Sequence, residues 1–420
     1  MRFAPGLAPL RHRDFALYWS GLTVSQIGDW METTTTAWLL YEITGSPLLL
    51  GLWGGIRAAA IVGFGLVGGA VADRFPRRTL LLITQSGFAL TSLALFAFVA
   101  TGTVTAVHIY VASAVASTLV AFDAPARRSM YPTLVPRSQL QNATTMNAAV
   151  FRVSRLAGPA LAGVIIATLG PAASYLVNAV SSVAIIVALA LMRARPVVAR
   201  VRARLVAEMA DGVRYTLRTP PLGQLLALET GHALFSANTA LVTIFAKDVL
   251  GVGPERLGLL LAGMGGGALL ATAAMIAVGD VDRKGRWMLI GGWIYAVAYA
   301  AVALSRSFEL TLGALTIMGA ADAYWSTMRT TIFQIRADDA YRGRTLAVLS
   351  LVGRGFTQAS QLVTGVLVAV AGAPAAALLG SVVIAGSLGA IDARDPRVRR
   401  FRGGPAPDAA GSAASESPAP

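Results

Sequence analysis

The sequence predicts an all-α membrane protein, a bundle of twelve transmembrane helices in two pseudo-symmetric halves of six. Three observations lead there. The chain of 420 residues is 55% hydrophobic and only 13% charged, with a mean hydropathy of +0.64, where a soluble domain carries about 25% charged residues. Its apolar residues fall in runs of roughly 20, the length a helix needs to cross a bilayer. These runs lack the alternation over about 10 residues that marks barrel strands, so helices are left to satisfy the backbone in lipid. The third observation is repetition: Asp73-Arg74-x-x-Arg77-Arg78 has a degenerate copy, Asp282-Arg283-x-x-Arg286, 209 residues later.

The elements follow in order. Residues 1–14 form a basic arm expected in the cytoplasm. The first half, 15–193, reads as spans 15–41, 48–72, 79–101, 105–125, 139–169 and 172–193. The second half, 222–391, reads as 222–246, 255–278, 286–305, 309–331, 342–372 and 374–391. Turns such as Thr44-Gly45-Ser46-Pro47 and Gly170-Pro171 separate spans on one side. Between the halves, residues 194–221 hold Leu205, Met209, Val213 and Leu217 at four-residue spacing beside Arg202, Arg204, Arg214 and Arg218. That is an amphipathic helix, either on the inner leaflet or packed beneath the bundle. The tail, 392–420, ends rich in Gly, Ala, Ser and Pro and is expected to be disordered.

Net charge is +14, which in a soluble protein would suggest nucleic acid. Here the cations concentrate on alternate loops, with Lys247, Arg256 and Arg306 on the opposite side. The asymmetry predicts cytoplasmic termini and no nucleic-acid partner. With no cysteine and 3 histidines, no disulfide, thiolate metal site or other cofactor is expected. No cleavable signal peptide is expected either, because the first apolar run carries Asp29 and Glu32. Nor does any nucleophile stand with a base at helical spacing, so an enzyme is not expected. Gly263-x-Gly265-Gly266-Gly267 lacks the strand and Lys-Ser/Thr of a phosphate loop and predicts a close helix contact instead.

Charged groups inside spans are functional candidates by default. Ser25, Gln26, Asp29, Glu32, Thr33 and Thr36 share one face of the first span, and such a stripe predicts a wet cavity or a polar neighbour. Glu32 and Arg57 both lie ~14 Å from the outer ends of their spans and are expected to pair. Pairing suits Glu32 to bracing and leaves Asp29 as proton carrier, with Glu229 and His232 on span 7 as further coupling candidates. Asp123 precedes Arg155 by 32 residues, and Asp322 precedes Arg354 by 32, which predicts one bracing pair in each half. Gly158, Pro159 and Gly163 predict a kink and close packing on span 5. Gln26, Trp30, Thr33, Asn238 and Tyr324 are candidates for lining a substrate cavity. Asp73, at the C-terminal end of its own helix, opposes the helix dipole and needs a partner.

The loop Gly69-x-x-x-Asp73-Arg74-x-Pro76-Arg77-Arg78 resembles the loop after the second helix in major facilitator superfamily transporters. The runs Arg11-His12-Arg13-Asp14-Phe15, Gly28-Asp29-Trp30 and Tyr41-Glu42-Ile43-Thr44-Gly45-Ser46-Pro47 are similar to its enterobactin-exporter-like branch. So are Asp123-Ala124-Pro125-Ala126 and Leu134-Val135-Pro136. The Gly158-Pro159 pair partly matches the antiporter motif of the exporters. The resemblance implies a bacterial inner-membrane protein that exports siderophores, drugs or other amphipathic compounds against protons by alternating access. It also implies that Gly69, Asp73, Arg74, Arg77 and Arg78, with Asp282, Arg283 and Arg286 in the second half, latch the cytoplasmic side. A monomer in the lipid bilayer is expected. The alternatives are an importer of a small solute and a non-transporting membrane sensor or scaffold.

Overall fold

The computed structural model describes residues 5–193, 205–394 and 396–403, apart from the side chains of residues 5, 6, 66, 73 and 205–208. In the first half α1 (Arg13–Thr44), α2 (Pro47–Arg74), α3 (Arg77–Ala100), α4 (Ala106–Met130), α5 (Leu140–Leu169) and α6 (Pro171–Leu191) follow one another through short turns. The linker contains α7 (Leu205–Arg218). The second half consists of α8 (Leu222–Phe235), α9 (Thr239–Ile244), α10 (Pro254–Val278), α11 (Lys284–Leu304), α12 (Phe308–Arg336), α13 (Asp339–Ala371) and α14 (Ala373–Arg394), and α15 (Arg397–Arg400) closes the described chain. Residue chemistry sets the boundaries. Ser46 and Ser307 accept from the first-turn amides of α2 and α12, proline opens α2, α6 and α10, and Gly45 ends α1 with a φ of 57°.

Counting α8 and α9 as one interrupted rod gives twelve positions, six in each half. Among the described residues, eight helices are long and apolar enough to cross a membrane. The positions that fall short are α1, the α8–α9 rod, α12 and α13, where Asp29, Glu32, Glu229, Asp322 and Arg354 sit. The expected single span 222–246 is therefore corrected. The chain leaves helix at Ser236, Asn238 caps α9 by accepting from the Leu241 amide, and a π-helical turn follows at Phe245–Val249.

Within the first half α1 packs on α5 and α6, α2 on α4, and α3 on α4 and α6. In the second, α12 packs on α10 and α11, and α13 and α14 pack on α8. Among the described residues the halves meet mainly along α2 against α13 and α5 against α10. Both are closest near the end of the bundle that carries the short glycine turns. A Cβ on Gly51 would stand 2.8 Å from Gly365 Cα, and one on Gly258 would stand 2.5 Å from the Pro159 carbonyl oxygen. Tyr41 donates to Asp248 across the same end, and Lys247 lies over the Trp38 ring at 5.3 Å. Farther along α2, a Cβ on Gly63, Gly65 or Gly69 would meet nothing within 4 Å. The halves are thus closely packed at the turn end, while these three glycines of α2 have no neighbour in either half among the described residues.

The linker helix α7 packs on the start of α13: Gly212 abuts Arg344, and Tyr215 stacks on Tyr341 at 4.2 Å. Val213 and Leu217 are exposed on its other side. One face therefore packs beneath the bundle, while Val213 and Leu217 stay exposed. Arg202 and Arg204 lie outside the described residues. The expected disorder from residue 392 is corrected at its start. Asp392 and Arg394 continue α14, and the following turn docks on α11 through Gly285 N to Phe401 O at 3.3 Å and Gly403 N to Asp282 O at 3.0 Å. Residues 404–420 lie outside the described ones.

Candidate functional site

Among the described residues, three charged clusters occupy the bundle interior, and one of them spans both halves. Arg155, on α5, reaches Asp322 on α12 at 3.8 Å. The other oxygen of Asp322 lies 3.2 Å from His232 Nε2 on α8. The imidazole is fixed by rings, edge-on to Tyr295 at 4.6 Å and stacked with Trp325 at 5.7 Å. One turn before Arg155, Arg152 donates to Thr272 on α10, adding a second link across the α5–α10 seam. That seam is narrow because Gly265 would bring a Cβ within 2.8 Å of the Arg155 carbonyl. The glycine run 263–267 is thus a close helix contact on both sides, since Gly267 faces the backbone of Thr316 on α12. Gly158 abuts Trp30 and Ile27 of α1, while Gly163 abuts Pro254 and Glu255 of α10.

The expected bracing pairs are corrected. Asp123 pairs with Arg127, one turn along its own helix, and accepts from Thr84 at 2.9 Å and Gln85 at 2.8 Å on α3. That leaves Arg155 for Asp322 in the other half. Arg354 is exposed and has no ion pair among the described residues. The equal spacing of 32 residues matched depth along the helices but not direction. Each acid found a nearer cation.

The expected Glu32–Arg57 pair is corrected for the same reason. Glu32 accepts from Ser92 of α3 and Asn178 of α6. Arg57 lies over the Trp53 ring at 4.6 Å on its own helix. The main packing of α1 is on α5 and α6 and that of α2 is on α4 and α13, so equal depth does not turn the two side chains toward each other. The polar stripe of α1 divides likewise. Ser25 bonds Gln85, Thr36 bonds Tyr175, and Thr33 returns to the Asp29 carbonyl at 2.8 Å, so these hydroxyls hold their own half together. Gln26 accepts from Arg127 at 2.8 Å. Asp29 is partly buried beside this cluster without an ion pair among the described residues.

The third cluster is in the second half. Glu229, buried on α8, pairs with Arg329 of α12. Asn238, at the α8–α9 break, donates to Ser360 at 3.1 Å and Thr364 at 2.8 Å on α13. Trp30 meets Phe151 edge-on and lies 6.0 Å from the Arg155 guanidinium, close to the bridge between the halves. Tyr324 is partly buried against Gly291. Sequence reasoning missed Arg127, Arg329 and Asn178. Only Arg127 had a local signal, at i+4 from Asp123.

At the basic end two of the arginines expected to form a latch reach helix ends of their own half. Arg77 donates to the Ser129 carbonyl at 2.9 Å, and Arg78 donates to those of Met192 and Ala190 at 3.0 and 2.7 Å. These are the C-terminal ends of α4 and α6, where carbonyls lack helical partners and the dipole favours cations. Both arginines therefore hold their own half. Arg74 is exposed and Gly69 faces open space, while the side chain of Asp73 lies outside the described residues.

The chain matches a family described as transmembrane secretion effector over residues 4–400. It is 24% identical over 387 residues to the multidrug efflux pump Tap of Mycolicibacterium fortuitum, covering 89% of this chain and 93% of that protein. It is 24% identical over 321 residues to the enterobactin exporter EntS of Citrobacter koseri, covering 76% and 73%. Two uncharacterized MFS-type transporters are matched over less of their length. YfiS of Bacillus subtilis is 27% identical, with 37% of each chain covered. y4rN of Sinorhizobium fredii is 26% identical, with 63% of this chain and 62% of its own covered. Among solved structures, a POT family transporter in complex with 5-aminolevulinic acid superposes with a TM-score of 0.74 at 10% identity, over 92% of this chain and 96% of that one. A bacterial homologue of ferroportin in its inward-facing state gives 0.68 at 17% identity, over 90% and 98%.

Proposed function

The chain belongs to the transmembrane secretion effector family of major facilitator transporters, and from that membership we propose that it exports amphipathic small molecules in exchange for protons by alternating access. The observation that carries this reading is the Arg155–Asp322–His232 cluster, which ties one half to the other away from the closely packed turn end. Buried ionisable groups cost free energy unless paired or wetted. A link shared between two rigid halves gives that cost a use, because neutralising one member changes what holds the halves together.

In this reading the basic end faces the cytoplasm of a bacterial inner membrane, and the closely packed turn end faces away from it. The protein works as a monomer. Asp29 takes the proton, because Arg127 beside it is already engaged by Asp123 and Gln26. Glu229 and His232 serve as the second-half counterparts. Trp30, near the bridge, offers an aromatic face to an amphipathic substrate. The names of Tap and EntS support a drug or a siderophore as cargo.

The test is uptake of a radiolabelled macrolide and a catechol siderophore into inside-out vesicles under an imposed proton gradient. The expected result is accumulation that collapses with the gradient and fails in Asp29→Asn. Pumping by Asp29→Asn with unchanged pH dependence would remove Asp29 as carrier. Accumulation only in right-side-out vesicles would reverse the direction. Failure to move any amphipathic probe would overturn the exporter reading.

A further inference from the structure

Five arginines converge on one cleft at the basic end. Arg283 and Arg286 come from the start of α11, Arg399 and Arg400 from α15, and Arg402 from the turn after it, around a volume of about 600 Å³. The convergence is built by backbone. Gly285 donates to the Phe401 carbonyl, Gly403 donates to that of Asp282, and the Val398 carbonyl rests where a side chain at 285 would stand. The general excess of cations on cytoplasmic loops accounts for arginines in this region. It does not account for a tail segment hydrogen-bonded so as to place three of them opposite two others.

Among the described residues, few acids compensate these charges. Arg399 has Asp392 at 3.2 Å, and Asp280 is taken by Lys284 at 2.6 Å. For Arg283, Arg286, Arg400 and Arg402 no carboxylate partner is found among the described residues. Arg283 and Arg286 also flank the N-terminus of α11, which has no acid in its first turn and no side-chain cap. The dipole there disfavours cations and favours an anion. Mutually repelling guanidinium groups at a helix N-terminus form a stable arrangement once an anion with several acceptor oxygens sits among them.

We propose that this cleft binds a phosphate ester through the guanidinium groups of Arg283, Arg286, Arg400 and Arg402. A phosphate has the tetrahedral oxygens and the charge that forked arginines match. Two sources share this chemistry, an anionic phospholipid headgroup and a soluble phosphate ester. Trp287, the residue after Arg286, is exposed on the same turn of α11. An exposed tryptophan at a helix end is characteristic of headgroup depth, and clustered arginines there attract anionic lipid. The position favours the lipid.

The experiment uses the full-length protein in neutral detergent, titrated with phosphatidylglycerol, phosphatidylcholine, glycerol phosphate or inorganic phosphate, with bound ligand counted by native mass spectrometry. The wild type is expected to prefer phosphatidylglycerol over phosphatidylcholine by about tenfold, as the loss of a charge-assisted contact would imply. Arg286→Gln with Arg402→Gln loses the preference. Arg74→Gln, an exposed arginine at the same end but outside the cleft, keeps it. Saturation by glycerol phosphate or inorganic phosphate at the same concentration would support the phosphate site and assign it to a soluble ligand. Equal binding of the two lipids by the wild type, with no binding of either soluble phosphate, overturns the proposal whether or not the variants fold. Retention of the preference by the double variant, or its loss in Arg74→Gln, also overturns it.

Discussion

Placing a methyl group on Gly258 tests the seam between the halves. In the arrangement described, that methyl would stand 2.5 Å from the Pro159 carbonyl oxygen and 2.9 Å from Gly163 Cα. Both neighbours are backbone, so no side-chain rotation relieves the contact, and overpacking of this kind costs about 1–3 kcal/mol. The gain in helix propensity on going from glycine to alanine, up to about 1 kcal/mol, is common to every state in which α10 stays helical and cancels. The penalty therefore falls on the state closely packed at the turn end. Gly258→Ala should shift the equilibrium away from that state by about 5–150-fold. The absence of native cysteine makes the assay direct. Spin labels on Leu169→Cys and Leu304→Cys, at exposed turn-end positions in opposite halves, report the separation by double electron–electron resonance. The long-distance population should rise in Gly258→Ala. It should stay unchanged in Gly63→Ala, whose methyl meets nothing within 4 Å. Equal distance distributions for Gly258→Ala and its parent would show that the α5–α10 contact does not set this equilibrium.

Three further outcomes are expected. Glu229→Gln leaves Arg329 buried without its counter-charge and should cost about 3–5 kcal/mol, read as a lower melting temperature in detergent, with Glu229→Leu plus Arg329→Met recovering much of the loss. Asn238→Ala removes the cap of α9 and two donors to α13 and should cost about 1–3 kcal/mol, read as faster amide exchange over residues 236–244. The hydrogen bond from Lys284 holds the Asp280 carboxyl below its ordinary value of 3.8. A depressed folded-state pKa contributes stability above the unfolded value and loses it as pH falls through the folded one. Exchange protection of the 280–285 turn should therefore hold from neutral pH down to about 5 and fail only under acid below 3.8, and loosening at pH 6 would contradict the assignment.

How much of this was legible in the sequence depends on how local each cause is. Turn glycines, first-turn prolines and the glycine run on α10 act through their own backbone, and the structure places them as expected. The broken seventh position gave no such signal. Ser236-Ala237-Asn238 contains neither glycine nor proline, and the groups that satisfy Asn238 are Ser360 and Thr364, more than 120 residues away. Ion pairing failed for a related reason. Depth can be computed from residue number, but which way a side chain points depends on which helices pack together. So Glu32 met Ser92 and Asn178 in place of Arg57, and Arg155 crossed to Asp322 in place of Asp123. The bridge between the halves was built of residues already singled out, joined in a combination that a repeat within each half could not reveal.

In the proposed cycle the halves rock about the Arg155–Asp322 bridge, one end opening as the other closes. The most direct measurement follows two label pairs in matched samples, Leu169→Cys with Leu304→Cys at the turn end and Phe75→Cys with Ile335→Cys at the basic end, as substrate and pH are varied. Opposite changes are expected at the two ends in the wild-type background, with that pH response lost in Asp322→Asn. Ends that open together or move independently, or an unaltered response in Asp322→Asn, would contradict that cycle.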